Sequence, residues 1–170
     1  MAFNIKEFQG QFQFDGARPN LFQVSIPQLG QKFNFTCKAA QLPGSTLGMA
    51  PVFYFGREVK LAGNRSFPDW SVTILNDEDF LVRNVLENWM GKMNSHEGNI
   101  ATNLLADYSF DANVIQYGKK GDEVKTYKFV GMFPVDIAPI DLDWGSNDSI
   151  EEYSVTFAYQ YWTSDSSNVG

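Results

Sequence analysis

One cysteine and one histidine in 170 residues leave little coordination or redox chemistry to look for. Cys37 has no second thiol for an intramolecular disulfide, and Cys37 with His96 falls short of the four ligands of a structural zinc site. Basic residues are also scarce, 13 against 20 acidic, so the net charge is −7 with the histidine neutral. That sign disfavours sequence-independent binding to nucleic acid or anionic membranes, which both need basic patches. No stretch approaches the roughly 20 apolar residues that span a bilayer, and the opening MAFNIKEFQGQFQFDGARPN lacks the apolar core of a secretory signal. The expectation is a soluble protein folded in a cytoplasm, without membrane insertion, on which Asn34-Phe35-Thr36, Asn64-Arg65-Ser66 and Asn147-Asp148-Ser149 match the glycosylation tripeptide by chance.

Catalytic motifs are missing as well. There is no P-loop, no dinucleotide-binding glycine motif and no nucleophile elbow, and a Ser-His-Asp set would have to draw His96 from the polar loop 92–99. The acidic run 141–152 puts carboxylates at the first, third and twelfth positions of a calcium loop, Asp141, Asp143 and Glu152. It fails at its centre, where Gly145 replaces an oxygen ligand and Ser146 replaces the turn glycine. Asp77 and Asp79 could do acid/base work, but a helix start accounts for them without a site. The expectation is no enzyme, no cofactor and no metal.

What is present is apolar and aromatic: 44% of residues are hydrophobic and 15% aromatic, against 19% charged. A chain of this length buries about 70% of its unfolded surface, enough for one domain over 1–170 without a staple. Period-2 alternation predicts strands over 21–26 and 33–39, joined as a hairpin through Pro27 to Gly30, with Cys37 as a small core residue. It predicts another over 70–75, a hairpin pairing 114–117 with 124–130 around the basic tip Gly118-Lys119-Lys120-Gly121-Asp122, and a long last strand over 153–162. Asn76 to Asp79 suit a helix N-terminus, and Leu81, Val82, Val85, Leu86, Trp89 and Met90 repeat at helical spacing up to Gly91. The fold class is mainly β, an antiparallel β-sandwich or barrel with one flanking α-helix, and Trp70, Leu81, Val85, Trp89 and Phe157 are its expected core.

Residues 42–63 stand apart. Pro43, Gly44, Gly48, Pro51, Gly56 and Gly63 interrupt a segment that still carries Leu42, Met49, Val52, Phe53, Tyr54, Phe55, Val59 and Leu61. So many breakers disfavour a central strand, and apolar surface on such an excursion points to a partner chain, so these eight residues are the expected inter-subunit arm. The other reading is a hairpin folded over the core.

Four blocks carry a family resemblance: ARPNLFQV (17–24), LGQKFNFTCKAAQLPG (29–44), NRSFPDWSVTILND (64–77) and LDWGSNDSIEEYSVTFAYQYW (142–162). Together, in this order, they resemble the tail tube protein of contractile-tailed, myovirus-type bacteriophages, whereas 90–122 matches poorly, 1–16 diverges, and the chain after Trp162 resembles an extension. The resemblance implies hexameric rings stacked into a hollow tube inside a contractile sheath, with adjacent subunits' sheets joined around the lumen and 42–63 touching the neighbouring ring. It implies as partners further copies of the chain, the sheath protein, baseplate and tail terminator proteins, and viral DNA that passes without specific binding. The place would be the virion tail, assembled in the bacterial host cytoplasm. Type VI secretion tube proteins share the fold, and a tube protein of such a system or a tube-like baseplate component is the alternative. A monomeric ligand-binding barrel is the more distant rival.

Overall fold

The computed structural model describes residues 4–12, 16–99 and 104–167. After a short helix α1 (Ile5–Gln11), the chain forms β1 (Phe22–Ser25), α2 (Gly30–Thr36), β2 (Cys37–Ala40), β3 (Thr46–Tyr54), β4 (Arg57–Ser66), β5 (Trp70–Leu75), α3 (Leu81–Met93), α4 (Leu105–Tyr108), β6 (Phe110–Tyr117), β7 (Glu123–Ile137), β8 (Glu152–Ala158) and β9 (Tyr161–Ser164). All strand pairs are antiparallel, in the order β1-β6-β7-β8-β5-β2 with β9 also on β7, while β3 and β4 pair only with each other.

The 15-residue β7 organises the core because it serves two sheets. Its first half lies between β6 and β9, and its second half pairs with β8. The strand turns the corner at Gly131, where φ is +65°, a conformation that favours glycine. Val24, Ala112, Val114 and Phe129 from one sheet meet Trp70, Val72, Ile74, Val155 and Phe157 from the other, and all are buried. The Trp70 ring lies 4.6 Å from Phe129 and 5.9 Å from Phe157, while its indole Nε1 donates to the Gln41 carbonyl at 2.6 Å. From α3, Val82, Leu86 and Trp89 are buried; Trp89 packs 5.4 Å from Phe110 and donates to the Tyr108 carbonyl at 2.7 Å. Each large side chain removed from water in this way contributes about 1.5–3 kcal/mol.

Several expectations are corrected. The strand expected over 33–39 is mostly helix: Pro27 opens a 3₁₀ turn, Pro27–Leu29, that runs into α2, and only Cys37–Ala40 is extended. Leu29, Phe33 and Cys37 recur every fourth residue, which satisfies a helix as well as an alternating strand, and Phe35, the position that separates the two, is 85% exposed. Accordingly β1 and β2 do not form a hairpin; β1 pairs with β6 and β2 with β5. Leu81 is not core: it begins α3 at 48% exposed, beside a buried stripe set by Val82, Leu86 and Trp89, with Val85 half-buried. The helix also runs past Gly91 to Met93.

The last strand breaks in two. Tyr153, Val155 and Phe157 point into the core from β8, but the chain bends at Tyr159-Gln160, where the Gln160 amide donates to the Val130 carbonyl at 3.0 Å. It then continues as β9 on the other half of β7, so continuous alternation in sequence spans a sheet corner in space. Thr163 and Ser164 thus belong to the barrel rather than to a terminal extension.

Candidate assembly interface

The segment 42–63 forms most of the hairpin β3–β4, which pairs with no other strand. It turns through Phe55-Gly56, with φ +46° and +79°, the two left-handed residues of a type I′ turn. Pairing places Tyr54, Val52 and Ala50 opposite Arg57, Val59 and Leu61 on one face, and Phe53, Pro51 and Met49 opposite Glu58, Lys60 and Ala62 on the other. Pro51 is tolerated because a two-stranded ribbon has an unpaired edge. Nearer the root a bulge between Leu47 and Met49 brings Gly48 and Gly63 together, so closely that a Cβ on Gly63 would lie 3.0 Å from the Gly48 carbonyl.

Every residue from 46 to 66 is exposed except the half-buried Gly63, so the hairpin does not fold over the core. Leu42, Met49, Val52, Phe53, Tyr54, Phe55, Val59 and Leu61 are all among the large apolar side chains in contact with solvent. The structure joins Val52 to Val59 across the ribbon and sets the Tyr54 and Phe55 rings 4.5 Å apart at right angles, while Leu42 precedes the hairpin. The root is tied down: Trp162 Nε1 donates to the Gly44 carbonyl at 2.9 Å, and Phe67 packs on Tyr159 and Trp162. An isolated two-stranded ribbon is marginal in water, so an apolar one held only at its root needs a covering surface.

A second apolar surface lies at the other end of the sheet. On β5, Trp70 at the arm end pairs with Phe157, and Leu75 at the far end pairs with Glu152, where the β7–β8 connection re-enters. That connection, 138–151, exposes Leu142, Ile150 and Trp144, the last 100% exposed. It also carries Asp141, Asp143, Asp148 and Glu151, with Glu152 following. The loop is anchored at both ends: Ala138 donates to the Ser154 carbonyl and Asn76 to the Glu151 carbonyl, both at 2.8 Å, and Lys38 pairs with Glu152. At its apex Asp143 Oδ1 accepts from the Gly145 amide at 3.0 Å, so this carboxylate shapes a turn. Among the described residues no group of three or more His, Cys, Asp or Glu side chains is placed to hold a metal ion. The spacing reasoning that singled out 141–152 tested it for calcium and missed the exposed Trp144. It also missed Ile5, Phe8 and Phe12, exposed apolar residues on and beside α1, of which Phe8 and Phe12 stack edge to face at 5.1 Å.

The N-cap of α3 is Phe80, which makes no side-chain cap bond, so the expected capping reduces to Asp79 reaching the first helix amide, while the amide that Asp77 bonds is its neighbour's, outside the helix. Asp79 Oδ1 accepts from the Leu81 amide at 3.0 Å, and Asp77 Oδ1 from the Glu78 amide at 2.9 Å. Lys32 on α2 pairs with both carboxylates, and its hydrogen bonds hold both below the usual carboxylate range while raising its own pKa. Burial pushes the Cys37 thiol up to about 12, which keeps it protonated and inert. Tyr153 is also pushed up to about 12 by burial, with Arg83 stacked 5.0 Å over its ring.

Comparison with known proteins finds that the family model described as phage tail tube protein matches residues 4–165. The tail tube protein gp19 of Enterobacteria phage T4 is 39% identical over 149 residues, covering 87% of this chain and 91% of the relative. The tail tube protein of Serratia phage KSP90 is 26% identical over 173 residues, covering 96% and 98%. Among solved structures, the cap of the anti-feeding prophage tube superposes with a TM-score of 0.67 at 14% identity, over 88% of this chain and 91% of the other. A chain from the extended sheath–tube complex of an extracellular contractile injection system gives 0.57 at 15% identity, over 96% and 99%. These two likenesses are of fold.

Proposed function

The chain belongs to the phage tail tube protein family, and from that membership we propose that it is the repeating subunit of the inner tube of a contractile tail, with six copies to a ring and rings stacked end to end. It is a structural protein of the virion tail. The single observation that carries the stacking is the free ribbon β3–β4, solvent-exposed along its length and apolar on both faces. Such a ribbon gains most by burial on another chain, and the eight apolar residues named for it supply the contact. Residues 1–170 act as one tail tube domain, with 1–16 and the chain after Ser164 as terminal extensions that add contacts.

As the terminal strands of the order, β1 and β2 each keep one edge without a partner strand, which supports lateral joining, because closing sheets across subunits into one barrel removes the edges that otherwise invite misassembly. The partners are then the sheath outside, the baseplate below and the terminator above, and the chain works by shape without chemical turnover. DNA passes along the lumen without specific binding: six copies at −7 give −42 per ring, and an acidic lining cannot release counterions from a polyanion. The level of sequence identity favours a phage tail over a secretion-system tube, since the two contractile-injection chains share only the fold.

The test is electron microscopy of the purified chain added to phage baseplates. Hollow six-fold tubes lengthening with added protein are expected; a monomer that leaves the baseplates bare would overturn the proposal.

A further inference from the structure

Charge divides this chain unevenly. The hairpin β3–β4, 46–66, which carries most of the expected arm 42–63, holds Arg57, Lys60 and Arg65 against Glu58 alone, net +2 in a chain of −7. The loop and first strand residue at the opposite end, 138–152, carry five carboxylates and no cation. Among the described residues Glu152 pairs with Lys38, and Glu151 accepts from Asn76 Nδ2 at 2.8 Å. Each end also presents bare aromatic surface, Phe53, Tyr54 and Phe55 on the arm and Trp144 on the loop. The two ends are separated by the length of β5, roughly 17 Å for six residues.

We propose that the arm of one copy docks on the acidic tryptophan loop of the next copy along the tube, its apolar tip against Leu142, Trp144 and Ile150 and its cations facing Asp141, Asp143 and Asp148. This inference rests on the reading of 42–63 as an inter-subunit arm and names the surface that receives it. Topology supports that occupant. A contact between two different patches at opposite ends of a subunit is head-to-tail and repeats without closing on itself, which is the symmetry of a stack. The charges then set direction. Arm against arm would oppose cations, loop against loop would oppose carboxylates, and only head-to-tail stacking joins unlike charge. Exposed pairs of this kind are weak and screened within about 8–10 Å at physiological salt, so attachment comes from the aromatic contact and polarity from the charges.

The backbone supplies an independent sign. Phe55 has φ +46°, where type I′ turns favour Asn, and its ring is 89% exposed. A bulky, exposed residue kept in an unfavourable conformation, its ring set against the neighbouring Tyr54, is explained by a partner that covers it.

Two experiments test the proposal on full-length protein grown on baseplates. In the first, Arg57→Glu, Lys60→Glu and Arg65→Glu are combined, as are Asp141→Lys, Asp143→Lys and Asp148→Lys. Each triple variant is expected to lower tube yield by about tenfold or more, because like charges then face one another, and mixed arm and loop reversals in one chain are expected to restore it. In the second, Lys60→Cys and Asp148→Cys, which leave the aromatic contact in place, are introduced into a chain whose own Cys37 is buried, and assembled tubes are treated with a thiol-specific cross-linker. The doubly substituted chain is expected to give a ladder of covalent oligomers, and either single variant none. A ladder or dimer from a single variant, or loss of tubes with no rescue by the combined reversal and no ladder, overturns the docking proposal. Tubes of normal yield after removal of the whole arm would instead overturn the reading beneath it.

Discussion

Phe55 sits at φ +46°, a conformation that a bulky side chain enters only at a cost of about 1 kcal/mol or more. Phe55→Asn should therefore tighten the turn and raise the hydrogen-exchange protection of arm amides in unassembled protein, while lowering tube yield. Reduced protection would show that the ring holds the turn together rather than serving a neighbour. Trp89 is the opposite kind of aromatic residue, buried against Phe110 and Phe157 with its indole nitrogen bonded to the Tyr108 carbonyl. Trp89→Ala should cost about 3–5 kcal/mol in chemical denaturation, and Leu81→Ala, at an exposed position, well under about 1 kcal/mol. Equal losses from the two substitutions would contradict the buried stripe assigned to α3.

Among elements, the joint between α2 and the start of α3 is electrostatic. Lys32 bonds to Asp77 and Asp79, lowering both carboxyl pKa values and raising its own. Depressed carboxylates stabilise the fold above their unfolded pKa of about 4, and that contribution disappears as pH falls through their folded values. The raised lysine contributes below its unfolded pKa of about 10.4 and is lost as pH rises through its folded value. The melting difference between Lys32→Met and the parent should thus be present from about pH 4 to 10, decline as pH falls below about 4 through the lowered carboxyl values, and diminish with salt. A difference as large at pH 3 as at pH 7 would assign it to packing of the lysine stem instead.

These elements also show what the sequence could reveal. Strands β5, β6 and β8 were legible because one face of each meets the core, so alternation and burial coincide. Helix α2 was not, because Leu29, Phe33 and Cys37 satisfy two periods at once and tertiary packing chose between them. The break before β9 was hidden because alternation continues through a corner that depends on the distant Gly131. The exposed ribbon was signalled by breakers among aromatic residues, whereas Trp144 had no periodic context, and only strand pairing sets its loop at the opposite end of β5 from that ribbon.

For the whole molecule, the arm contributes no buried side chain to the core, and its root is held by Trp162, Phe67 and Gly44 outside the ribbon itself. Folding and stacking are therefore separable: a chain lacking 46–66, closed by a short glycine linker, should keep the barrel and its thermal midpoint yet lose the contact between rings. The most direct measurement is the length of tubes seen by electron microscopy when this shortened chain, verified as folded, replaces the intact chain on baseplates. Stacking through the arm predicts that growth stops at the first ring, and tubes of ordinary length would contradict it.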